Sequence, residues 1–122
     1  MAHFTFEPTP PYTLMRRLKR SIAATISIWN EVTEVCDAIA ESGVLLRIHE
    51  PDCAKPADRF VRSVTSTARE ELAAMRRYAQ TLAGPPAGLK SAQDHVARSR
   101  ALAAEVLESS RGFLCAVTAA LR

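Results

Sequence analysis

Hydrophobic residues recur in the first third of the chain with alternating spacings of three and four residues. Within residues 14–42 the repeating positions are Met15, Leu18, Ile22, Thr25, Trp29, Val32, Cys36 and Ile39. This pattern is a heptad seam, which is typical of a long amphipathic helix packed against other helices. Ile26, Ile28 and Val35 flank the seam and widen it, so we expect this helix to contact two or more neighbours.

Two further segments carry the helical period, and we expect helices over residues 56–83 and 91–121. Pro56 is placed to open the second helix, and Gly84-Pro85-Pro86 to stop it. Ser91, with Asp94 three residues later, resembles a capping box for the third helix. The predicted buried face of the second helix comprises Val61, Val64, Ala68, Leu72, Met75, Ala79 and Leu82. That of the third comprises Val96, Ala103, Val106, Leu107, Ser110, Phe113, Leu114, Val117 and Leu121.

The segment between the first two helices has two interpretations. Gly43 is placed as a left-handed cap that ends the first helix, which Thr13 would begin as N-cap. Residues 44–49 then either extend the helix past Gly43 or form a short extended lid over the bundle. The sequence Glu50-Pro51-Asp52 ends this segment in both cases.

The predicted fold is all-α, an up-down-up bundle of three long antiparallel helices. Short connections between long helices favour antiparallel neighbours. Composition agrees, because the 122-residue chain is rich in alanine, leucine, arginine and glutamate and has only 6% aromatic residues. We expect one helical domain over residues 13–122 and an extended N-terminal arm over residues 1–12, which carries Pro8, Pro10 and Pro11.

Three aromatic residues are candidates for an interface. Phe4 and Phe6 on the arm either pack across the bundle's own side or dock on a partner subunit. Trp29 lies in the middle of the heptad seam. We interpret it as a packing residue whose indole N–H meets a carbonyl or a small polar residue such as Thr25, with a dimer hot spot as the alternative.

Charges on the first helix run against the helix dipole, with bases early and acids late. In an up-down-up bundle, the start of the first helix, the end of the second and the start of the third share one end. We name this set the basic end: Arg16, Arg17, Lys19, Arg20, Arg76, Arg77, Lys90, Arg98 and Arg100. With Asp94 it carries a net charge of +8, so the rest of the chain carries −5 to reach the formal total of +3.

The basic end has a functional and a plain interpretation. It would suit an anion such as a nucleic-acid backbone, an acidic protein or a membrane face. Alternatively it is a solvated surface, or it pairs with acidic residues of a second copy. Few aromatic residues lie near these bases, so sequence-specific nucleic-acid recognition is not favoured.

Residues suited to catalysis or metal binding are few. His49, Glu50, Asp52 and Cys53 crowd one short loop without a second cluster, so we interpret them as a polar loop. We predict no metal, no cofactor and no catalytic residues.

The acidic face of the first helix carries Glu31, Glu34 and Asp37 at i, i+3 and i+6. This spacing is similar to the paired acids of all-helical nucleotide pyrophosphohydrolases. Glu105 and Glu108 do not complete the second pair, so we interpret the face as a solvated surface.

The three cysteines have no paired spacing, and Cys36 and Cys115 fall on apolar helical faces, which suits a reducing cytosol. Residues 1–12 do not have the pattern of a signal peptide, and no apolar run is long enough to span a membrane. We expect a cytoplasmic protein.

The leading functional hypothesis is a non-enzymatic helical bundle that acts by binding another protein, as an adaptor, small chaperone, inhibitor or assembly subunit. Self-association is expected of such a bundle. The alternatives are binding of a nucleic-acid backbone through the basic end, and a metal-dependent enzyme on the acidic face of the first helix.

Overall fold

A computed structural model describes residues 11–81 and 89–122. Its helices are α1 (Pro11–Glu41), α2 (Gly43–His49), α3 (Pro51–Thr81) and α4 (Leu89–Ala120). No strand occurs in these two ranges, and the protein is an all-α bundle of three long helices, as predicted. The short helix α2 lies between the first two long ones.

Helix α1 buries the predicted heptad seam. Every seam residue from Leu18 to Ile39 is buried, and Met15 at its start is partly buried. The helix begins at Pro11, three residues before the start expected near residue 14, so Thr13 lies in its first turn and is not the N-cap. Proline is favoured at the first helical position because its missing N–H would have no helical partner there. Residues 1–10, with Phe4 and Phe6, lie outside the described residues.

Gly43 does not act as a left-handed cap. Ser42 has helical dihedrals (φ −75°, ψ −10°), and its carbonyl accepts a hydrogen bond from the N–H of Leu46 at 3.0 Å. Residues 43–49 are therefore a short helix rather than an extended lid. The seam keeps its period across this junction, because Gly43 and Leu46 are buried four and seven residues after Ile39.

Helix α3 begins at Pro51 rather than Pro56. The residue before a proline is disfavoured in the helical region, and Glu50 has φ −140° and ψ 66°, so the break falls there. Pro51 opens α3, and Pro56 lies inside it near the N-terminal end. The predicted stop at Gly84-Pro85-Pro86 lies in residues 82–88, outside the described ranges.

Helix α4 begins at Leu89, so Ser91 lies within its first turn and the predicted capping box was wrong. Its most deeply buried positions confirm much of the predicted face, and they are Ala92, Val96, Ser99, Ala103, Leu107, Ser110 and Val117. Many of these side chains are small, which lets two helices approach closely. Accordingly, α4 makes its most extensive contacts with α1 and few with α3.

The core consists of three clusters along the bundle. The first contains Leu18, Met75 and Val96, the second Trp29, Ala68 and Ala103, and the third Ile39, Ala57 and Val117. Residue numbers rise from cluster to cluster in α1 and α4 and fall in α3. This register is compatible with the predicted up-down-up order. Ala79, predicted to be buried on α3, is exposed.

Candidate functional site

The residues of the basic end lie on the helix segments that form the first core cluster. This cluster joins Leu18 and Ile22 of α1, Ala74 and Met75 of α3, and Val96 of α4. The nine basic residues lie on the same stretches of these helices, and all nine are exposed. Within the described ranges, none of them has a carboxylate within 4.0 Å. Their charges are thus open to solvent or to an anionic ligand.

Charge at the opposite end is mixed. Around the third cluster the acidic residues are Asp37, Glu41, Glu50, Asp52 and Asp58, and the basic residues are Arg47, Lys55, Arg59 and Arg122. Arg47 and Asp58 approach to 3.9 Å, and both side chains are about half exposed or more. Among the described residues, this end of the bundle therefore carries both signs of charge.

Helix α2 exposes an apolar surface at this mixed-charge end. Val44, Leu45 and Ile48 have exposed fractions of 62%, 49% and 66%. Positions i, i+1 and i+4 of a helix fall within an arc of about 100°. These three side chains therefore share one side of α2, which we name the α2 apolar face. Leu46, completely buried, anchors the opposite side in the third cluster.

An open groove runs between α1 and α4. Its larger part has a volume of about 650 Å³ and is lined by residues that include Arg17, Ile28, Ala97, Arg100, Ala101 and Ala104. A second part of about 370 Å³ shares Ile28 and Ala104 with the first and continues to Leu107, Glu108 and Arg111. At this end Arg111 of α4 donates a hydrogen bond to Glu31 of α1, at 3.1 Å. We name the whole depression the α1/α4 groove.

Trp29 is a core residue. Its side chain is completely buried in the second cluster, and the indole Nε1–H donates to Ser99 Oγ of α4 at 3.0 Å. Thr25, proposed as a partner, instead donates to the carbonyl of Ser21 at 2.7 Å. The indole has no exposed surface to offer a partner, which corrects its inclusion among the interface candidates.

A chain of polar contacts between α3 and α4 was missed from the sequence. The hydroxyl of Tyr78 lies 2.6 Å from His95 Nδ1, and His95 Nε2 lies 3.3 Å from Glu71 Oε2. The Tyr78 and His95 rings also meet edge to face, with centroids 5.3 Å apart. Glu71 and Tyr78 are seven residues apart and so share a side of α3. The spacing of Glu71 and Tyr78 could have indicated a polar site on this side of α3, but the sequence does not show that His95 of α4 lies between them.

The cysteines differ in their surroundings. Cys36 is buried, whereas Cys53 and Cys115 are exposed, which corrects the placement of Cys115 on an apolar face. Burial raises the pKa of the Cys36 thiol above its ordinary value of 9.0, and the neighbouring Thr65 hydroxyl opposes this rise. The hydroxyl of Ser110 lies near this sulfur but makes no hydrogen bond of standard geometry within the described ranges.

The residues considered for metal binding do not converge on one point in the described ranges. His49, Glu50, Asp52 and Cys53 are all exposed around the α2–α3 junction. Across residues 11–81 and 89–122, no three histidine, cysteine, aspartate or glutamate side chains come together as a metal would need. Glu31 of the acidic face is engaged with Arg111, and Glu34 and Asp37 are exposed.

No protein-family model, curated protein or solved structure matches the chain. Among the described helices, none combines the length and apolar character needed to cross a bilayer.

Proposed function

We propose that this chain is a non-enzymatic helical-bundle protein that acts by binding another protein. The α2 apolar face carries the proposal, because it groups three of the four large hydrophobic residues that are exposed in the described ranges. Full burial of a valine, leucine or isoleucine side chain contributes about 1.5–3 kcal/mol. Grouping such residues on one helix face is a common way to present a docking site.

The position of α2 favours recognition with little reorganisation. Leu46 is completely buried and Gly43 is buried, so α2 is fixed to the bundle from its inner side. A surface that is already ordered loses less conformational entropy on binding than a loop that must fold. The mixed charges around α2 fit the polar rim of a protein interface.

Affinity capture from the native host, with the bound proteins quantified by mass spectrometry, tests the α2 apolar face. Ile48→Glu places a charge on the face, and Leu102→Glu is the matched control because Leu102 is an exposed leucine on α4. We expect the wild type and Leu102→Glu to retain the same specific partner and Ile48→Glu to lose it. Capture of that partner by all three proteins alike would contradict the assignment of this face.

A second candidate is binding of a nucleic-acid phosphate backbone through the basic end. The observation that favours it is the gathering of nine exposed basic residues that have no ion-pair partner in the described ranges. Such binding depends on release of counterions, so it weakens steeply as salt rises and varies little with sequence.

Fluorescence anisotropy with labelled DNA and RNA at several salt concentrations tests this candidate. Arg16→Ala with Arg17→Ala should weaken binding to all sequences and reduce the salt dependence. Arg59→Ala with Arg62→Ala removes the same charge from exposed positions outside the basic end and serves as the control. Equal losses in both double variants, or no binding at low salt, would remove the candidate.

A cytoplasmic location is also part of the proposal. It is supported by the three free cysteines, Cys36, Cys53 and Cys115, which a reducing compartment keeps as thiols.

A further inference from the structure

The α1/α4 groove has the dimensions of a helix-binding site. Its two parts adjoin at Ile28 and Ala104, with volumes of about 650 and 370 Å³. On α4 it extends from Gln93 to Arg111, which corresponds to about 27 Å at 1.5 Å per residue. A helix of about five turns would fill this length.

The walls of the groove permit a close approach. Ala97, Ala101 and Ala104 present only methyl groups on the α4 side, and Ile28 supplies the larger apolar surface on α1. Two helices can approach to about 8 Å between axes where the contacting side chains are small. A helix entering the groove would thus exchange water for apolar contact along the middle of its length.

Two charged residues of α4 in the groove lie at equal distances on either side of Ala104. Arg100 lies four residues before Ala104 and Glu108 four residues after it, so each is about 6 Å from it along the helix axis. Neither residue has an ion-pair partner within 4.0 Å in the described ranges. The nearby Arg111 is already paired with Glu31, which leaves Glu108 as the groove carboxylate without a partner.

We propose that the α1/α4 groove binds α4 of a second copy of this chain, antiparallel and around a two-fold axis at Ala104. This arrangement places Arg100 of each copy opposite Glu108 of the other, so both charges find a partner. The apolar residues Ile28, Ala101 and Ala104 meet near the axis. The inference deepens the proposed function, on which it rests, by naming one partner and the surface that binds it.

The charge pattern favours a second copy over another helix. A uniformly acidic helix would satisfy Arg17 and Arg100 but would face Glu108 with like charge, which opposes binding. An antiparallel copy satisfies Arg100 and Glu108 together because the two-fold axis exchanges their positions. At these two positions the surface is therefore complementary to itself.

Sedimentation velocity over a range of concentrations tests the dimer with charge-reversed variants of the full chain. Arg100→Glu and Glu108→Arg each place like charges opposite one another, and we expect each to weaken the dimer at least about tenfold. An equal mixture of the two variants should dimerise again, because each copy then carries only one sign of charge in the groove, opposite to its partner's. Ala104→Arg sets two positive charges at the axis and should abolish the dimer.

Matched controls are available on another side of α4. Arg98 and Glu105 are exposed and lie outside the groove, so Arg98→Glu and Glu105→Arg should leave the dimer unchanged. A wild-type monomer at every concentration, equal loss in variants and controls, or a mixture that stays monomeric would overturn the proposal. A monomer that still captures a partner sensitive to Ile48→Glu would overturn the groove dimer and leave the proposed function standing.

Discussion

Trp29 and Ser99 join α1 to α4 through a buried hydrogen bond, with the indole N–H donating to the serine hydroxyl at 3.0 Å. The two residues have exposed fractions of 0% and 2% and are 70 positions apart in the chain. A serine at this position leaves room for the large indole and also satisfies its polar group. Trp29 is the only tryptophan, so tryptophan fluorescence reports on the surroundings of this residue without a contribution from another indole.

We predict that Ser99→Ala destabilises the protein by about 1–3 kcal/mol, because it leaves the Trp29 N–H buried without a partner. Ser110→Ala is the matched variant, since Ser110 is equally buried on α4 but has no hydrogen-bond partner in the described ranges. It should leave the free energy of unfolding unchanged or raise it. Urea titrations followed by Trp29 fluorescence give both values, and equal losses would contradict the role of Ser99.

Two adjacent leucines of α2 should respond very differently to truncation. Leu46 is completely buried and Leu45 is 49% exposed. Leu46→Ala should lower the free energy of unfolding by about 2–5 kcal/mol through cavity formation, whereas Leu45→Ala should change it by about 0.5 kcal/mol or less. Chemical denaturation followed by circular dichroism measures the difference, and similar losses would show that α2 is not anchored by Leu46.

The contact between Tyr78 and His95 is expected to stabilise the packing of α3 against α4. Tyr78→Phe removes the hydroxyl that lies 2.6 Å from His95 Nδ1 and should cost about 0.5–1.5 kcal/mol. Glu71→Gln alters the longer contact on the other ring nitrogen. Because both changes act on the same imidazole, their effects should not be additive, and a double-mutant cycle tests this. Strict additivity would mean that His95 does not link the two residues.

The three cysteines should differ in reactivity, because one thiol is buried and two are exposed. Cys53 and Cys115 are exposed and should react rapidly with a thiol reagent in the folded protein. Cys36 is buried and has a raised pKa, so it should react only after unfolding. Mass spectrometry of the alkylated protein before and after denaturation counts the thiols. Rapid modification of all three in the native protein would contradict the burial of Cys36.

Because the pKa of Cys36 is raised by burial, we predict that the protein loses stability at alkaline pH. The folded-state pKa of Cys36 lies above the ordinary value of 9.0 that applies to the unfolded chain. The free energy of unfolding is therefore not reduced by ionisation of this thiol below about pH 9, and it falls as pH rises from there through the folded-state pKa. Cys36→Ala removes this part of the pH dependence. Unfolding titrations of both proteins at several alkaline pH values measure it, and parallel curves would refute the prediction.

The sequence determined most of the helical content of this protein. The 3-4 period from Met15 to Ile39 identified the buried side of α1 because a helix returns to the same face every seven residues. Local chemistry also fixed the break after His49, although Pro51, not Pro56, opens α3. The errors at Thr13, Gly43 and Ser91 are all errors of helix boundary: Thr13 and Ser91 lie two residues inside their helices, and Gly43 begins α2 and does not cap α1.

Tertiary structure alone decided which side chains meet across helices. Ser99 as the acceptor for Trp29, and His95 between Tyr78 and Glu71, depend on the relative height and rotation of helices far apart in sequence. Whether an apolar residue of α2 or α4 is covered depends on the same geometry, which buries Leu46 while it exposes Val44, Ile48 and Cys115. A periodic pattern gives the direction of each helix's apolar side, but the packing of all three helices sets how far that side is covered.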